Sequence, residues 1–465
     1  MAETPTGAPA WHQEITRYQW IVLFATTTGW ALDGFDSNLF TLVAGPATAD
    51  LLVNSGIGDP TPAQTSFYSG LAVTVFLVGW ALGAVFFGTL ADYIGRVRVL
   101  IVGVLTYSVF TALATLAAVY WQFAALRFLA GIGSGVELPI GAALVAEAWN
   151  NRHRAKATGI MMSGLALGFF LASVVYNFIG GFGWRPTLAA GLVPALLVLF
   201  IRRYVHEPES MIEVRAERAR RKRERQAGAA KKASDRFVLV RLFTRPLLRR
   251  TLPCTIIAAG ALFAFWNVTA WTPQIVRTVV TGEGVTGPAA IGYVSQATAM
   301  LNLGGVLGYA SWGFIADKIG RRRTYLMSLA LAVLSVGLLY PFVYTYAMYL
   351  WLLPVVGFGV FGMLSGNSIY FAELFGPGVR ASAIAVTNSI GRLLTAGGPL
   401  VTGVIATQWF GGSLSLAATA VSALILVSLI GLALVPETHG AFLFADENAI
   451  VSDGAATKAR SRPAT

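Results

Sequence analysis

Five ionisable residues stand inside long apolar runs of this chain: Asp33, Asp36, Arg127, Glu137 and Arg392. A charge in such surroundings costs at least ~2.5–3.5 kcal/mol on membrane-insertion scales, so each is a functional candidate by default. Carboxylates can carry protons. A guanidinium can hold a carboxylate through two parallel hydrogen bonds. The residue types therefore point to proton transfer by the acids and anion binding by an arginine. Other chemistries are not indicated. His12, His153, His206 and His439 all lie outside the apolar runs, and no H-E-x-x-H pattern occurs. Cys254 is the single cysteine, so it forms no internal disulfide. No metal set or cofactor motif is present, and a membrane-embedded enzyme is the least supported reading.

The elements that must position these charges are membrane spans. The chain has 465 residues, 55% hydrophobic and 12% charged, about half the charge of a soluble domain. Runs near 20 residues are long enough to cross a ~30 Å hydrocarbon layer as helices. Twelve such runs are read near 20–44, 66–91, 97–118, 121–147, 156–181, 185–204, 251–275, 289–316, 324–343, 347–374, 381–407 and 412–435. The expected fold is an all-α membrane protein of twelve transmembrane helices. The first ~18 residues are polar, with Pro5 and Pro9, and show no cleavable signal peptide.

The net charge of +12 is concentrated rather than spread. Between Glu213 and Arg250 stand fourteen Lys/Arg against four Asp/Glu. A basic loop beside membrane spans belongs on the cytoplasmic side, where it meets anionic lipid headgroups, and nucleic acid is not implied. The short loops agree. Arg96 and Arg98, Arg152, Arg154 and Lys156, Lys318 and Arg321 to Arg323, and Arg380 follow even-numbered spans, whereas the alternate loops are nearly free of Lys and Arg, apart from Arg185 and Arg277. Both termini are therefore expected in the cytoplasm. The resulting boundaries are a tail 1–19, a six-helix bundle 20–204, a basic loop 205–250, a second six-helix bundle 251–436, and a tail 437–465.

The halves repeat each other. G-T-L-A-D-Y-I-G-R-V-R begins at Gly88, and G-F-I-A-D-K-I-G-R-R-R begins at Gly313, 225 residues later. Glu147 and Arg154 recur as Glu373 and Arg380 at an offset of 226. Such a duplication, with charged boxes between apolar runs, is the mark of a transporter made of two pseudo-symmetric bundles.

Depth suggests which charges meet. Asp36 lies about 24 Å along the first span, and Arg127 about 9 Å along the fourth, which runs the opposite way, so the two share the outer half. A carboxylate there is stable ionised against the arginine, or neutral once the pair opens. That is what proton coupling needs, although a static ion pair would also explain it. Asp33, one turn nearer the centre, fits a second proton site, a substrate partner or a structural role. Glu137 lies about 15 Å beyond Arg127 on roughly the same face, either relaying a proton inward or sitting as a neutral acid beside Pro139. Arg392 lies some 16 Å into the eleventh span, and its repeat counterpart is Ala166, so the repeat does not explain it. It fits a carboxylate clamp, or a snorkelling side chain bound to a carbonyl. Asn267 and Trp266, Gln296 and Asn302, Asn367 and Asn388 are further candidates to line a cavity, with helix bridging the alternative for the amides. Trp30, Phe35, Phe263 and Trp271 are candidates to pack on a ring.

The two D-x-x-G-R boxes resemble the signature of the major facilitator superfamily, over about residues 20–440. Further motifs resemble a subset of it: L-D-G-F-D from Leu32, R-F-L-A-G-I-G-S-G-V-E-L-P from Arg127, E-P-E-S from Glu207, and P-E-T-H-G from Pro436. These are similar to sugar porters and, more closely, to proton symporters of aromatic acids, sialate and lactate. The resemblance implies two bundles rocking around a central site, with Asp36 and Arg127 as the coupling pair. It also implies a cytoplasmic gate: Asp92, Arg96, Glu147 and Arg154 in one half, and Asp317, Arg321, Glu373 and Arg380 in the other. Family antiporters usually carry a Gly-Pro-rich fifth span, whereas A-T-G-I-M-M-S-G-L-A-L-G-F-F-L-A-S, from Ala157, has no proline. The expectation is thus a proton symporter taking a small organic acid across the inner membrane. A sugar symporter is the alternative, then an efflux antiporter or a sensor without flux. Nothing in the sequence fixes an oligomeric state, and a monomer is compatible with it.

Overall fold

The computed structural model describes residues 15–149, 151–205, 242–342, 345–375 and 380–438. Among these, every regular element is helical. The first is α1 (Arg17–Leu52), opened by a capping box in which Thr16 and Gln19 satisfy each other's backbone amides. α2 (Pro62–Ile94) starts with the same device on Thr61 and Gln64, with proline at its first turn. α3 (Arg96–Ala114), α4 (Tyr120–Ser134), α5 (Glu137–Ala148) and α6 (Asn151–Ile179) come next. α7 (Trp184–Ala189) and α8 (Leu197–Tyr204) are joined by a 3-10 turn, Ala190–Leu196. The second half holds α9 (Arg245–Gly282), α10 (Ala289–Ile319), α11 (Arg321–Phe342) and α12 (Tyr346–Leu374), then α13 (Arg380–Thr395), α14 (Gly398–Gln408), α15 (Leu414–Ser422) and α16 (Val427–Leu434).

Nine helical stretches among the described residues are long and apolar enough to cross a membrane. α1 is long enough but is not one of them. Asp33, Asp36, Ser37, Asn38 and Thr41 make it too polar, and all five are buried. The helix that contributes most to the candidate site is thus the one that composition describes worst.

The structure departs from the expected spans in their continuity. The run 121–147 is not one helix, because Gly135 and Val136 separate α4 from α5. A β-carbon at Gly135 would stand 2.3 Å from the Ala84 amide nitrogen, so the break coincides with backbone contact against α2. Runs 185–204, 381–407 and 412–435 are also interrupted, and Pro399 starts the second piece of the eleventh run.

Each signature box turns on a glycine. Gly95 (φ 112°) joins α2 to α3, and Gly320 (φ 97°) joins α10 to α11. Both lie in backbone space that side chains rarely enter, which explains a glycine at the same place in each repeat. Pairing also repeats. α2 packs along α4 as α10 packs along α12. Small residues permit this closeness, since a β-carbon at Gly168 of α6 would lie 1.7 Å from the Ala31 carbonyl oxygen of α1. Between the halves, α6 packs along α10, and α2 along α13 and α14.

Candidate functional site

α1 brings Asp36 against Arg127 of α4. Arg127 Nη1 lies 3.8 Å from Asp36 Oδ2, and both side chains are fully buried. That is an ionic contact, too long for a hydrogen bond. Arg127 is held instead by Thr111 of α3, whose hydroxyl accepts from Nη2 at 2.5 Å, and by the Phe40 ring, 5.1 Å from its guanidinium carbon. Asp36 accepts no hydrogen bond within the protein. Desolvating two charges costs several kcal/mol each, and attraction repays this only when hydrogen bonds complete the geometry. Here they do not. The contact is an ion pair without the hydrogen bonds that would complete it.

Asp33 lies one turn below, fully buried, and neither of its oxygens accepts a hydrogen bond within the protein. Glu137 opens α5, 2% exposed, at the helix end where a carboxylate is favoured. Its Oε2 faces Gly29 of α1, where a β-carbon would stand 2.8 Å away. Tyr107 of α3 is fully buried. Its hydroxyl and that of Ser134 make no hydrogen bond within the protein. Asp36, Asp33 and Glu137 thus form a buried acidic column along α1.

Arg392 comes from the second half, on α13. Its guanidinium carbon is 4.3 Å from the centroid of the Trp80 ring of α2. Trp80 meets Trp30 of α1 at 6.0 Å, Trp266 of α9 at 5.3 Å and Phe76 at 5.6 Å, all edge-on. Arg392 is 5% exposed. Its Nε, and the indole nitrogens of Trp30, Trp80 and Trp266, donate no hydrogen bond within the protein. This buried cluster offers donors and aromatic faces, a set matched to an anion carrying a flat or apolar body.

The other candidates separate. Trp266 lies in this cluster, against Trp80. Asn267 does not present a free amide: it donates to the Ala418 carbonyl and the Ser422 hydroxyl, both at 2.8 Å, and accepts from Thr402 at 2.7 Å. Asn388 donates to the Ile384 carbonyl of its own helix at 2.9 Å. Asn367 accepts from the Tyr325 hydroxyl at 2.8 Å and keeps an undonated nitrogen. Gln296 is exposed on α10 and accepts from Tyr346, away from the column. Sequence reasoning misses Trp80, which reads there as one more large residue on a glycine-rich packing face.

The second-half box is fully formed. Arg321 donates from Nε to both Glu373 oxygens, at 3.0 and 3.1 Å, and its Nη2 is 2.9 Å from Asp317. Burial acts to lower the Arg321 pKa, but the hydrogen bonds and charge of Glu373, with Asp317, raise it further, so it stands above the ordinary arginine value. Two residues of P-E-T-H-G join in. Glu437 accepts the backbone amides of Arg321 and Arg322, capping α11, and Thr438 donates to Glu373. The side chains of Asp92, Glu147, Arg154 and Arg380 lie outside the described residues, and Arg96 is half-buried at the start of α3.

The halves touch at both ends of the site. On the box side Lys156 lies over the Phe314 ring at 5.7 Å, and Ser368 donates to Met162 Sδ. At the far end Arg277 donates to the Tyr176 hydroxyl at 3.0 Å. Arg185 is paired there too, with Asp50 at 2.7 Å. Arg185 and Arg277, the two arginines at loops otherwise free of Lys and Arg, thus have local partners.

The description Major Facilitator Superfamily belongs to the family model that matches residues 21–311 and 285–458. The chain is 31% identical to a probable 4-methylmuconolactone transporter of Cupriavidus pinatubonensis, over 93% of this chain and 94% of that one. It is 28% identical to the cis,cis-muconate transport protein of Acinetobacter baylyi, over 75% and 80%. Its fold is similar to that of the proton:xylose symporter XylE bound to 6-bromo-6-deoxy-D-glucose, with a TM-score of 0.71 at 16% identity, over 91% and 97%.

Proposed function

The chain belongs to the major facilitator superfamily of membrane transporters, and from that premise we propose that it imports a small organic acid together with protons. In this reading two six-helix bundles, 20–204 and 251–436, rock about the acidic column and Arg392. Both termini face the cytoplasm of a bacterial-type inner membrane. The observation that carries it is Arg392, buried on Trp80 with an undonated Nε, where Trp80 in turn meets Trp30 and Trp266 and all three indole nitrogens are undonated. A carboxylate needs only donors, which the Arg392 guanidinium and these indole nitrogens supply. Muconate and methylmuconolactone in the relatives' names support an acid or its lactone. A thermal-shift comparison tests it. At 100-fold its Kd a ligand adds about 2.7 kcal/mol of stability. Muconate, gentisate or benzoate is expected to raise Tm and xylose is not; the reverse result removes the organic-acid reading.

The box side is proposed to act as the gate. Glu373 holds Arg321 with both oxygens and is itself held by Thr438. Glu373→Ala leaves the buried Arg321 with Asp317 as its remaining acid, a change costing less than the about 3–5 kcal/mol of a fully stranded buried charge. The expected outcome is a shift toward opening on that side. With Cys254→Ser as background, Met162→Cys should label faster with a water-soluble maleimide once Glu373→Ala is added. Equal labelling rates would argue against gating.

A further inference from the structure

We propose that Arg277 and Tyr176 form an anion-capture site at the end of the molecule away from the boxes. A carboxylate from the medium takes the guanidinium over from the phenol and so unlatches the halves. This rests on the reading of the chain as an acid importer with its boxes in the cytoplasm, and adds where the acid first meets it. Arg277 stands near the end of α9 and donates from Nη2 to the hydroxyl of Tyr176, near the end of α6, at 3.0 Å. That bond joins the two halves. Its acceptor is neutral, which sets Arg277 apart from Arg185, whose Nη1 lies 2.7 Å from an Asp50 oxygen. Among the described residues Arg277 has no acid partner. Glu283, the next acid along the chain, accepts the Tyr346 backbone amide at 2.8 Å. Arg277 is partly exposed, and its remaining N–H donors have no acceptor among the described residues. A guanidinium so placed is open to an anion.

The neighbouring contacts of this seam carry no charge. Gln274, three residues before Arg277 and so on the same face of α9, meets α1: a β-carbon at Gly45 would stand 2.9 Å from its Nε2. Asn177, next to Tyr176, meets α10: a β-carbon at Gly292 would stand 3.6 Å from its Oδ1. The bond from Arg277 to Tyr176 is therefore the charged link among these cross-half contacts. A carboxylate accepts from a guanidinium through two parallel bonds and brings the negative charge that the phenol lacks, so it outcompetes Tyr176. Tyr176, 3% exposed, is then left without its donor from the second half, and the seam loses that link. Arg392 is itself 5% exposed, so an acid reaches it only after the seam parts. Arg277 thus makes the first contact with the acid and Arg392 a later one. No covalent bond changes: the anion pairs with the Arg277 cation, and the phenol keeps its proton.

Labelling reads the seam directly. Ser295 is 3% exposed and lies three residues deeper on α10 than Gly292. Full-length protein carrying Ser295→Cys and Cys254→Ser is placed in vesicles of zwitterionic phosphatidylcholine, so that no anionic lipid competes, and treated from outside with a membrane-impermeant maleimide. Adding cis,cis-muconate should speed labelling several-fold, and its neutral dimethyl ester should not. Tyr176→Phe and Arg277→Gln both break the latch, so each should label at the faster rate already, with no further response to muconate. Arg277→Gln should also lower kcat/KM for muconate uptake about tenfold at low salt and much less at high salt, as the loss of a steering charge requires. Arg277→Lys should restore it. Muconate acceleration that is absent, or that disappears in Arg392→Ala, overturns the proposal, as does labelling in Tyr176→Phe and Arg277→Gln at the slow rate. Acceleration that persists in Arg392→Ala, in a protein that takes up no muconate, removes the importer reading and leaves the capture site standing.

Discussion

Asp36→Asn is expected to reduce uptake driven by a pH gradient to background while leaving exchange between preloaded and external substrate intact. Net transport requires the carrier to return empty, and a proton-coupled carrier does so only after its acid has released the proton. Asparagine mimics the neutral acid permanently. It suits the loaded carrier and blocks the empty one. The geometry makes this swap tolerable for folding, since Asp36 accepts no hydrogen bond that asparagine would forfeit. Arg127 would lose its 3.8 Å ionic contact but keep Thr111 and the Phe40 ring. The loss of stability should therefore stay below the ~3–5 kcal/mol of a fully stranded buried charge. Gradient-driven uptake at the wild-type rate, measured in vesicles alongside exchange, would remove Asp36 from the coupling step.

Arg392→Lys is expected to keep the charge and lose most of the acid affinity. Lysine cannot present the planar fork, nor lie flat over the Trp80 ring as the guanidinium does at 4.3 Å. A charged hydrogen bond contributes ~1.5–3 kcal/mol, so its loss weakens binding roughly ten- to hundred-fold. Arg392→Ala should weaken it further. A methyl ester of the same acid separates recognition from scaffolding. It should bind the wild type poorly and lose little more in either variant. Equal losses for acid and ester on Arg392→Ala would mean that the arginine holds helices together, and the organic-acid reading would lose its main residue-level support.

Several features are legible in the chain without coordinates. The boxes at Asp92 and Asp317 are short, contiguous and duplicated, so their positions can be read directly. The proximity of Asp36 and Arg127 comes from constant helix rise, because depth is arithmetic once a span's entry point is known. Other features depend on which face a residue presents, which spans without amphipathic contrast do not reveal. Trp80 and Trp30 look like any large residues among glycines, yet one lies under Arg392 and both keep their indole nitrogens undonated. Asn267 looks free in the sequence and is saturated by three partners from α14 and α15. Glu437 sits in a motif that the sequence marks by resemblance alone, and its capping of α11 needs a chain reversal 115 residues long to be seen. The break at Gly135 and Val136 is hidden because a small residue in a span normally signals close packing, which it also does here.

The central claim is that an organic acid and a proton enter together. Purified protein in sealed vesicles containing a pH-sensitive dye tests it directly, with cis,cis-muconate added outside and no gradient imposed. A dianion crosses lipid poorly on its own, so any flux reports the protein. The interior is expected to acidify as muconate accumulates, in wild type but not in Asp36→Asn. Muconate accumulation with an unchanged or alkaline interior would contradict proton symport.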